Sequence, residues 1–382
     1  MRLEATEVVV IGGGAVGAGV AYYLARAGRR VVLVERRGLA HEASGANVGL
    51  VTLFSAYSLE EPEPGPLFGL TRESVDLYAT LGEEVGVDIE YEREGGVVTA
   101  ETEAQAAALR PAFEGYRRHG VPVEWLDPAG VRACEPAFVS DRVVGGAFCP
   151  LNGQVNPLLL TRAFARGARR HGARLLLGTA VEGVTVEQGR VRGVRTSAGE
   201  IPCEAVVNAA GAWAAEVAAM VGVRVPVVPA RGQILLTEPV PRFIRRVVSG
   251  IEPAARQTRR GNVIVGSTVE LAGFDKSVTT ATIGAFAREV LPHFPRLRGL
   301  SVIRTWAGLR PATPDHAPII QLLDELEGYC LAVGHSRRGI CYAGGTGRLV
   351  AELLTGKPPF LPLGRFRLDR FPPEPAGAGG RG

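Results

Sequence analysis

Three glycines and a glutamate near the N-terminus have the residue types and spacing of a dinucleotide site. Gly12, Gly14 and Gly17 fit the pattern G-x-G-x-x-G, and Glu35 follows about 20 residues later. The first glycine permits a tight turn, the second lets the backbone approach a pyrophosphate, and the third lets a helix pack closely on a strand. The carboxylate would bind ribose hydroxyls and repel a 2′-phosphate. This disfavours NADP and leaves NAD and FAD open.

Three arginines near the C-terminus lie where a side chain could bind an anion. Arg310 precedes Pro311, which biases its backbone to an extended conformation, so we expect it to end a strand with its side chain directed to one face. Arg337 and Arg338 lie in a turn between an apolar run and a glycine-rich helical pattern. The alternatives are a structural ion pair of Arg310 with a neighbour such as Asp315, and solvated turn positions for the other two arginines.

The elements that would carry these residues begin with a βαβ unit. The run EVVVI has the unbroken apolar character of a strand buried on both faces, AVGAGVAYYLARAG is helical, and RRVVLVE is a second buried strand. A helix and strand in NPLLLTRAFARGARRHGARLLLG, a strand and glycine turn in CEAVVNAAGAWA, and the late strand YCLAVG belong to the same layer. The stretches at 85–150 and 222–305 have strand and turn character.

This interleaving predicts an α/β fold, α+β overall, in which the chain crosses several times between two domains. We assign residues 1–84, 151–221 and 306–365 to a Rossmann-like nucleotide-binding domain. Residues 85–150 and 222–305 are assigned to a mixed-sheet substrate domain. The tail, residues 366–382, is rich in Pro and Gly, and we predict that it is disordered.

Composition excludes several classes of protein. The chain has 382 residues, 46% hydrophobic, and a formal charge of +4, which is small for this length and does not favour nucleic-acid binding. The five cysteines form no C-x-x-C pair, and with the six histidines they show no metal-ligand spacing. The apolar run at 8–11 is too short for a signal peptide or a membrane span. We therefore expect a cytoplasmic protein with no metal and no membrane span.

Several ordered blocks resemble the D-amino-acid-oxidase-like flavoprotein superfamily, and glycine oxidase most closely. The likeness covers nearly the whole chain and rests on VVVIGGGAVGAGVAYYLARAG, SGANVGLV, GGAFCPLNGQVNP, VVNAAGAWA, GSTVELAGFDKSVT, WAGLRPATPDHAPII and GHSRRGI. The last three blocks together are much more specific than the first. The resemblance implies a Rossmann-like FAD-binding domain interleaved with a substrate domain whose mixed sheet covers the flavin. No cysteine of the kind that links flavin covalently in the family is recognisable, so we expect FAD to be held without a covalent bond.

The resemblance implies residue roles as well. The residues expected to bind FAD are Gly12, Gly14, Val16, Gly17, Glu35, Arg36, Ser44, Asn47, Gly49, Leu50, Val181, Gly211, His335, Ser336, Arg338, Gly339 and Ile340. The last five surround the flavin ring, where a helix N-terminus would stabilise negative charge on the reduced ring. Arg310 would bind the substrate carboxylate bidentately, and Arg337 would line the substrate pocket.

The chain departs from its relatives at three places. Glycine oxidase has a tyrosine near the substrate in the strand that matches IEPAARQT, and this stretch has none. Sarcosine oxidases have a lysine near the flavin in the strand that matches NVIVGST, which here lacks one. The turn reads HSRRG where glycine oxidase has an aromatic residue and an asparagine.

The resulting expectation is an FAD-dependent oxidoreductase that oxidises a small amino acid or N-substituted amino acid at the α-carbon. A hydride would pass to flavin N5, and the imine product would hydrolyse. No side chain is identified as a general base. Oxygen or another acceptor would take the electrons, and a homo-oligomer remains open. The alternatives are an acceptor-linked dehydrogenase subunit of the proline, hydroxyproline or opine type, which passes electrons to a quinone or partner protein, and a mainly structural flavin-binding subunit.

Overall fold

The computed structural model describes residues 1–250 and 253–372. The strands are β1 Val8–Ile11, β2 Val31–Glu35, β3 Leu50–Val51, β4 Gly96–Ala100, β5 Glu124–Leu126, β6 Gly145–Cys149, β7 Gly153–Gln154, β8 Arg174–Leu177, β9 Val181–Glu187, β10 Arg190–Thr196, β11 Gly199–Pro202, β12 Ala205–Asn208, β13 Val228–Pro239, β14 Val247–Ser249, β15 Ala254–Gln257, β16 Asn262–Gly266, β17 Val302–Ala312, β18 Ile319–Leu322 and β19 Tyr329–Val333. The helices are α1 Ala15–Arg26, α2 Pro66–Val85, α3 Glu103–Arg118, α4 Pro128–Cys134, α5 Pro157–Arg170, α6 Ala214–Ala219, α7 Thr280–Val290 and α8 Gly339–Leu354. Short 3₁₀ turns cover Ala56–Leu59, Gly211–Trp213, Pro295–Leu297, Gly364–Phe366 and Leu368–Arg370.

A six-stranded sheet in the order β18-β19-β12-β1-β2-β8 forms the centre of the half that the sequence predicts to bind a nucleotide. Its strand pairs are parallel except for β18 and β19, and Val8 of β1 lies between Val31 and Ala205. All four residues of β1 are buried, because helices cover one face and strands β9–β11 with α6 cover the other. The predicted βαβ unit and the later strands of this layer are confirmed.

The small residues of α8 allow it to pack closely against α1 and α2. A Cβ on Gly347 would lie 2.6 Å from the Gly19 carbonyl oxygen, and one on Gly345 would lie 2.5 Å from the Leu70 oxygen. Both distances are well below van der Waals contact. The Tyr78 hydroxyl of α2 also donates to the Ile340 carbonyl at 2.6 Å. The middle of α8 is therefore packed closely between two neighbouring helices, and its start is tied to α2 by the bond from Tyr78.

The other half contains two four-stranded sheets, in the orders β15-β16-β13-β17 and β14-β4-β6-β5. The first is antiparallel, and β13 pairs with β17 over the whole length of β17. Apolar residues of both sheets pack with α7 in one core. The predicted boundary between residues 305 and 306 falls inside β17, so a division there would cut a continuous strand.

Two expectations about local structure are wrong in part. The segment 85–150 contains α3, a helix of 16 residues in which Ala106, Leu109, Phe113 and Tyr116 repeat at helical spacing and are buried. Burial of this apolar face stabilises the helix more than the internal Pro111 and Gly115 destabilise it. The tail is ordered as far as residue 372: Phe366 is fully buried, and Arg370 pairs with Asp315 at 2.9 Å. The rest of the predicted disordered tail lies outside the described residues.

Candidate active site

Two adjoining cavities lie at the carboxyl ends of β1, β2 and β12. The larger cavity has a volume of about 400 Å³ and the smaller cavity about 230 Å³. Gly14, Ser44, Ala209 and Gly211 line both, so the two cavities meet there. The carboxyl edge of such a sheet is where nucleotides bind in Rossmann-like folds. The arrangement therefore offers one elongated site for a dinucleotide.

The glycine turn between β1 and α1 forms the junction of the two cavities. Gly12 has φ +116°, and a Cβ there would collide with the carbonyl of Ala209. A Cβ on Gly17 would collide with the Gly12 carbonyl, so Gly17 allows the close approach of helix and turn. The Ser44 hydroxyl accepts from the Ala15 amide at 2.9 Å, and Gly14 is the N-cap of α1 without a side chain to cover it. Apart from the Ala15 amide, which donates to Ser44, the helix N-terminus therefore stays open to a phosphate.

Glu35 ends β2 at the wall of the smaller cavity. One carboxylate oxygen accepts from the Gly13 amide at 2.7 Å, and the other accepts from the Arg37 amide at 2.8 Å. A carboxylate has about four acceptor sites, so it can still accept ribose hydroxyls. Val181 and Arg36 line the same cavity.

Trp213 links Arg36 to the other half of the molecule. The Arg36 guanidinium carbon lies 3.8 Å from the centre of the Trp213 ring, and Phe274 stacks on that ring at 5.2 Å with an angle of 27° between the planes. Lys276, from the same loop as Phe274, pairs with Glu42 at 3.0 Å. The loop around residue 274 thus contacts the rim of the smaller cavity.

The larger cavity is built on the turn that joins β19 to α8. His335 is buried, its Nε2 lies 3.0 Å from the Thr346 hydroxyl, and burial lowers its pKa to about 3, so the imidazole is neutral near pH 7. The Ser336 amide donates to the Pro311 carbonyl at 2.9 Å. This bond ties the turn to the end of β17, one residue after Arg310.

Arg310 projects from β17 into the larger cavity. Its guanidinium donates to the Thr268 carbonyl at 2.7 Å and to the Ser267 hydroxyl. Asp315 instead pairs with Arg365 at 2.6 Å and with Arg370. The proposed ion pair between Arg310 and Asp315 is therefore not formed.

Arg337 and Arg338 also line the larger cavity. Both guanidinium groups approach the ring of Tyr57, with centroid distances of 4.9 Å and 5.7 Å. Arg338 additionally donates to the Thr52 carbonyl at 2.7 Å. These contacts exclude the interpretation of the two arginines as solvated turn residues.

Most of the predicted binding residues line one of the two cavities. Gly17 and Gly49 do not, and each has a backbone role: Gly17 in helix packing, and Gly49 in a turn with φ +86°. Sequence reasoning missed several lining residues: Tyr57, Gly232, Ser267 and Trp213. The only sequence signal for them was that Ser267 and Trp213 fall inside the quoted family blocks.

Strand β15, which lacks the tyrosine found in glycine oxidase, contributes an alanine and a buried arginine to the surroundings of the larger cavity. Ala254 lines the larger cavity. Arg256 is buried and donates to the Val48 carbonyl, and burial lowers its pKa to about 10. Its guanidinium also lies 3.3 Å from the Gln154 side-chain oxygen. Arg256 therefore supports the loop at residues 47–49.

The fold and the site define a nucleotide-dependent enzyme of the Rossmann-like type, and comparison with known proteins identifies its family. The family described as FAD dependent oxidoreductase (DAO) matches residues 7–353. The hydrogen cyanide synthase subunit HcnC of Pseudomonas aeruginosa is 35% identical, with 97% of both chains covered. The glycine oxidase structure from Geobacillus kaustophilus aligns with TM-score 0.89 and 29% identity over 97% of this chain and 99% of that one. The L-proline dehydrogenase structure from P. horikoshii has TM-score 0.89 and 29% identity over 96% and 98%.

The chain therefore belongs to the DAO family of FAD-dependent oxidoreductases. The residues present fit that cofactor. The glycine turn leaves no room for side chains, a helix N-terminus opens towards the junction of the cavities, and an acidic residue ends β2. Among residues 1–250 and 253–372, no helix combines the length and apolarity that crossing a bilayer requires. In the same residues, no group of His, Cys, Asp and Glu could hold a metal ion.

Proposed function

We propose that this protein oxidises a small amino acid or N-substituted amino acid at the α-carbon. The observation that carries the proposal is Arg310, whose guanidinium faces the larger cavity and is held there by Ser267 and Thr268. A planar guanidinium binds a carboxylate through two parallel hydrogen bonds, which fixes orientation as well as charge. A substrate held in this way has its α-carbon at a defined position in the cavity.

The residues of the smaller cavity, including Glu35, Arg36 and Val181, would hold the ADP half of FAD. The turn from His335 to Ile340 and the loop from Asn47 to Leu50 would hold the ring. Bound FAD supplies a two-electron acceptor at its N5 atom. The start of α8 directs a positive helix end at the larger cavity and would stabilise negative charge on the reduced ring. A neutral His335 leaves this task to the helix end and to the arginines.

The chain acts on the substrate mainly by positioning it. Arg310 binds the carboxylate, and Arg337 lines the pocket beside it. The amine reacts unprotonated: its lone pair forms the C=N bond while the α-C–H bond breaks and hydride leaves with both electrons. Water then adds to the imine and releases the amine. The proposal assigns no residue the role of general base, because holding the reacting atoms in line supplies much of the rate enhancement.

The experiment compares Arg310→Ala and Arg310→Lys with wild type in anaerobic flavin reduction. For an amino acid, Arg310→Ala should lower the efficiency by about 30-fold or more, since losing one partner of a desolvated charge pair costs about 2–5 kcal/mol. Arg310→Lys should also be impaired, because an ammonium cannot form the paired hydrogen bonds. The decarboxylated amine should be affected little. Arg304→Ala is the matched control, because Arg304 is an exposed residue of the same strand outside both cavities. If the efficiency of flavin reduction fell equally for the amino acid and the amine, Arg310 would not be the group that binds the carboxylate.

A second candidate function is an acceptor-linked dehydrogenase. The relative with 35% identity is named as a subunit, and one structural neighbour is a dehydrogenase. The strand that carries a lysine in sarcosine oxidases has Ile264 and Val265 here. Reoxidation of the reduced protein by air and by an artificial quinone distinguishes the two. Rapid reoxidation by quinone with slow reoxidation by air would favour the dehydrogenase. A protein that no amino acid reduces would leave the structural-subunit alternative.

A further inference from the structure

A row of small and apolar residues crosses the sheet that carries Arg310. Gly266, at the end of β16, pairs with Ala254 of β15 on one side and with Ile234 of β13 on the other. All three residues line the larger cavity. Direct partners in antiparallel strands share one face of the sheet, and Gly266 has no side chain. The row is therefore an apolar trough, with Gly266 as its floor and Ala254 and Ile234 as its sides.

The alternation of the strands shows that the apolar trough faces the cavity. The residue after Ile234 and the residue after Ala254 are Leu235 and Ala255, and both pack with α7 in the core behind the sheet. Successive side chains of a strand point to opposite faces, so Ile234 and Ala254 point away from that core. Strand β14 lies against β15 and adds Val247, which lines the cavity and is 3% exposed. The wall of the cavity around the trough is thus aliphatic.

The apolar trough lies next to the groups that hold Arg310. The guanidinium donates to the Ser267 hydroxyl and the Thr268 carbonyl, and these two residues directly follow Gly266. Consecutive Cα atoms are about 3.8 Å apart, and direct partners across antiparallel strands are about 5 Å apart. Ala254, on the far side of the trough, is therefore about 9 Å from Ser267 along the wall. A short alkyl group on a molecule whose carboxylate is bound by Arg310 can reach it.

The chemistry of this wall suits a hydrocarbon group. Among the residues of 1–250 and 253–372 that β13 to β17 contribute to the cavity lining, Arg310 carries the only charge. A polar group buried against Ile234, Val247 and Ala254 would lose its hydrogen bonds to water, which is unfavourable. Each methylene group buried there would instead raise affinity by up to about fourfold.

We propose that the apolar trough binds an aliphatic group of about three to four carbons on the substrate, while Arg310 binds the carboxylate. The preferred substrate would then be an amino acid with a short alkyl group on the α-carbon or on the nitrogen, and glycine would be a poor substrate. Strand β15 presents Ala254 to the cavity and has no tyrosine, so the space for such a group stays open. The inference rests on the proposed function.

The direct test titrates the FAD-loaded protein with acetate, propanoate, butanoate and pentanoate and follows the shift of visible flavin absorption. These acids have one carboxylate each and no amine to oxidise. Affinity should rise with chain length, so that pentanoate binds at least about tenfold more tightly than acetate. The ether 3-methoxypropanoate has the length of pentanoate with oxygen in place of one methylene, and it should bind several-fold more weakly than pentanoate. Equal affinities for acetate and pentanoate would overturn the proposal.

Variants locate the binding of the alkyl chain. Ala254→Leu fills the trough and should reduce the preference for pentanoate over acetate to about twofold or less. Ile234→Val removes one methylene from the side of the trough and should reduce the preference by about two- to fourfold. Ala281→Leu is the matched control, because Ala281 is an exposed residue of α7 outside both cavities, and it should keep the wild-type preference.

A wild-type preference in Ala254→Leu would overturn the assignment of the alkyl chain to the trough. If Ala254→Leu does not retain FAD, the milder Ile234→Val decides, and an unchanged preference in that variant would overturn the assignment as well.

Turnover decides where the substrate carries its alkyl group. Norvaline and N-ethylglycine have chains of the same length, on the α-carbon and on the nitrogen respectively. At least one of them should reduce the flavin faster than glycine does, with both enantiomers of norvaline tested. The faster enantiomer of norvaline should also exceed the same enantiomer of O-methylserine, which has an ether oxygen in the chain. Faster reduction by glycine than by both alkyl compounds would overturn the proposed preference.

Failure of the apolar trough and failure of the proposed function give different results. If glycine reduces the flavin and chain length has no effect on binding, the trough is wrong and the proposed function stands. If no amino acid reduces the flavin, the proposed function fails, and the titrations with simple acids still decide whether the trough binds an alkyl chain.

Discussion

The guanidinium of Arg310 lies beside Gly232, in the space that a Cβ at residue 232 would need. The two residues are on the paired strands β17 and β13, where Ala230 is the direct partner of Arg310 and Gly232 is the diagonal neighbour. A Cβ on Gly232 would clash with the guanidinium, since it would lie 2.5 Å from the central carbon and 2.2 Å and 2.3 Å from the two terminal nitrogens. The absence of a side chain at residue 232 therefore makes the space in which Arg310 rests.

Gly232→Ala should displace Arg310 and so impair the amino acid reaction. We expect the efficiency of flavin reduction to fall by about tenfold or more, since misplacement by about 1 Å can cost 100-fold. Reduction by a decarboxylated amine should change little, and FAD content should be retained. Gly284→Ala is the control, because a Cβ there would meet only the flexible end of Arg288 at 3.6 Å. Unchanged kinetics with the amino acid would show that Arg310 is not the carboxylate ligand or that it adapts without loss.

Glu35→Ala should weaken FAD binding through two effects. The change removes the ribose contact and also the two hydrogen bonds from the Gly13 and Arg37 amides, which hold the glycine turn. Hydrogen bonds to charged groups are worth about 1.5–3 kcal/mol each, so FAD affinity should fall by at least about tenfold. Glu35→Gln should be milder, because one acceptor oxygen remains. Equilibrium titration of the apoprotein with FAD measures both. Equal affinity in all three proteins would place the ribose elsewhere.

Trp213→Ala should loosen the rim of the smaller cavity. The Arg36 guanidinium would lose an aromatic face at 3.8 Å, and Phe274 would lose its stacking partner. Cation–π contacts are worth about 0.5–2 kcal/mol, so we expect FAD binding weaker by about 2- to 30-fold. Trp213→Phe keeps an aromatic face and should retain most of the affinity. The rate of FAD dissociation measures the effect. If FAD left Trp213→Ala as slowly as it leaves wild type, the contacts of Trp213 with Arg36 and Phe274 would not contribute to cofactor binding.

His335 should make stability fall in mild acid. Its folded pKa of about 3 lies below the ordinary value of 6.5, so between these values the unfolded chain binds a proton that the folded chain does not. The free energy of unfolding therefore decreases as pH drops from about 6.5 towards 3, by up to about 1.4 kcal/mol per pH unit. Urea unfolding of FAD-saturated protein should show wild type losing about 2 kcal/mol more than His335→Gln between about pH 7 and pH 5. Parallel losses would mean that His335 is accessible to protons in the folded state.

FAD should be released completely by heat or acid. Cys341 is the cysteine that lines the larger cavity, and its thiol donates to the Leu50 carbonyl at 3.4 Å. We therefore expect no thioether to the ring and a colourless protein pellet after precipitation. A pellet that stays yellow would contradict this, and Cys341→Ser would then identify the attachment.

The amino-acid sequence determined the parts of this protein that depend on neighbours along the chain. The turn from Gly12 to Gly17, the apolar runs of β1 and β2 and the helical period of α1 are local patterns, and each formed as predicted. The same is true of the turn before α8, since a buried strand, a polar turn and a run of small residues follow one another directly. Local backbone preference and side-chain period are enough to specify such units.

The tertiary structure alone decided which distant residues share a wall of the site. Tyr57, in the 3₁₀ turn Ala56–Leu59, contacts Arg337 in the turn before α8, and Gly232 makes room for Arg310 because β13 pairs with β17 in one particular register. Asp315 pairs with Arg370, which the sequence pattern assigned to a disordered tail. Contacts of this kind depend on the register and packing of whole elements, and a shift of one residue along a strand turns every side chain to the opposite face. No local pattern carries that information, so the grouping of Tyr57, Gly232 and the arginines in one wall of the cavity became visible only in the folded chain.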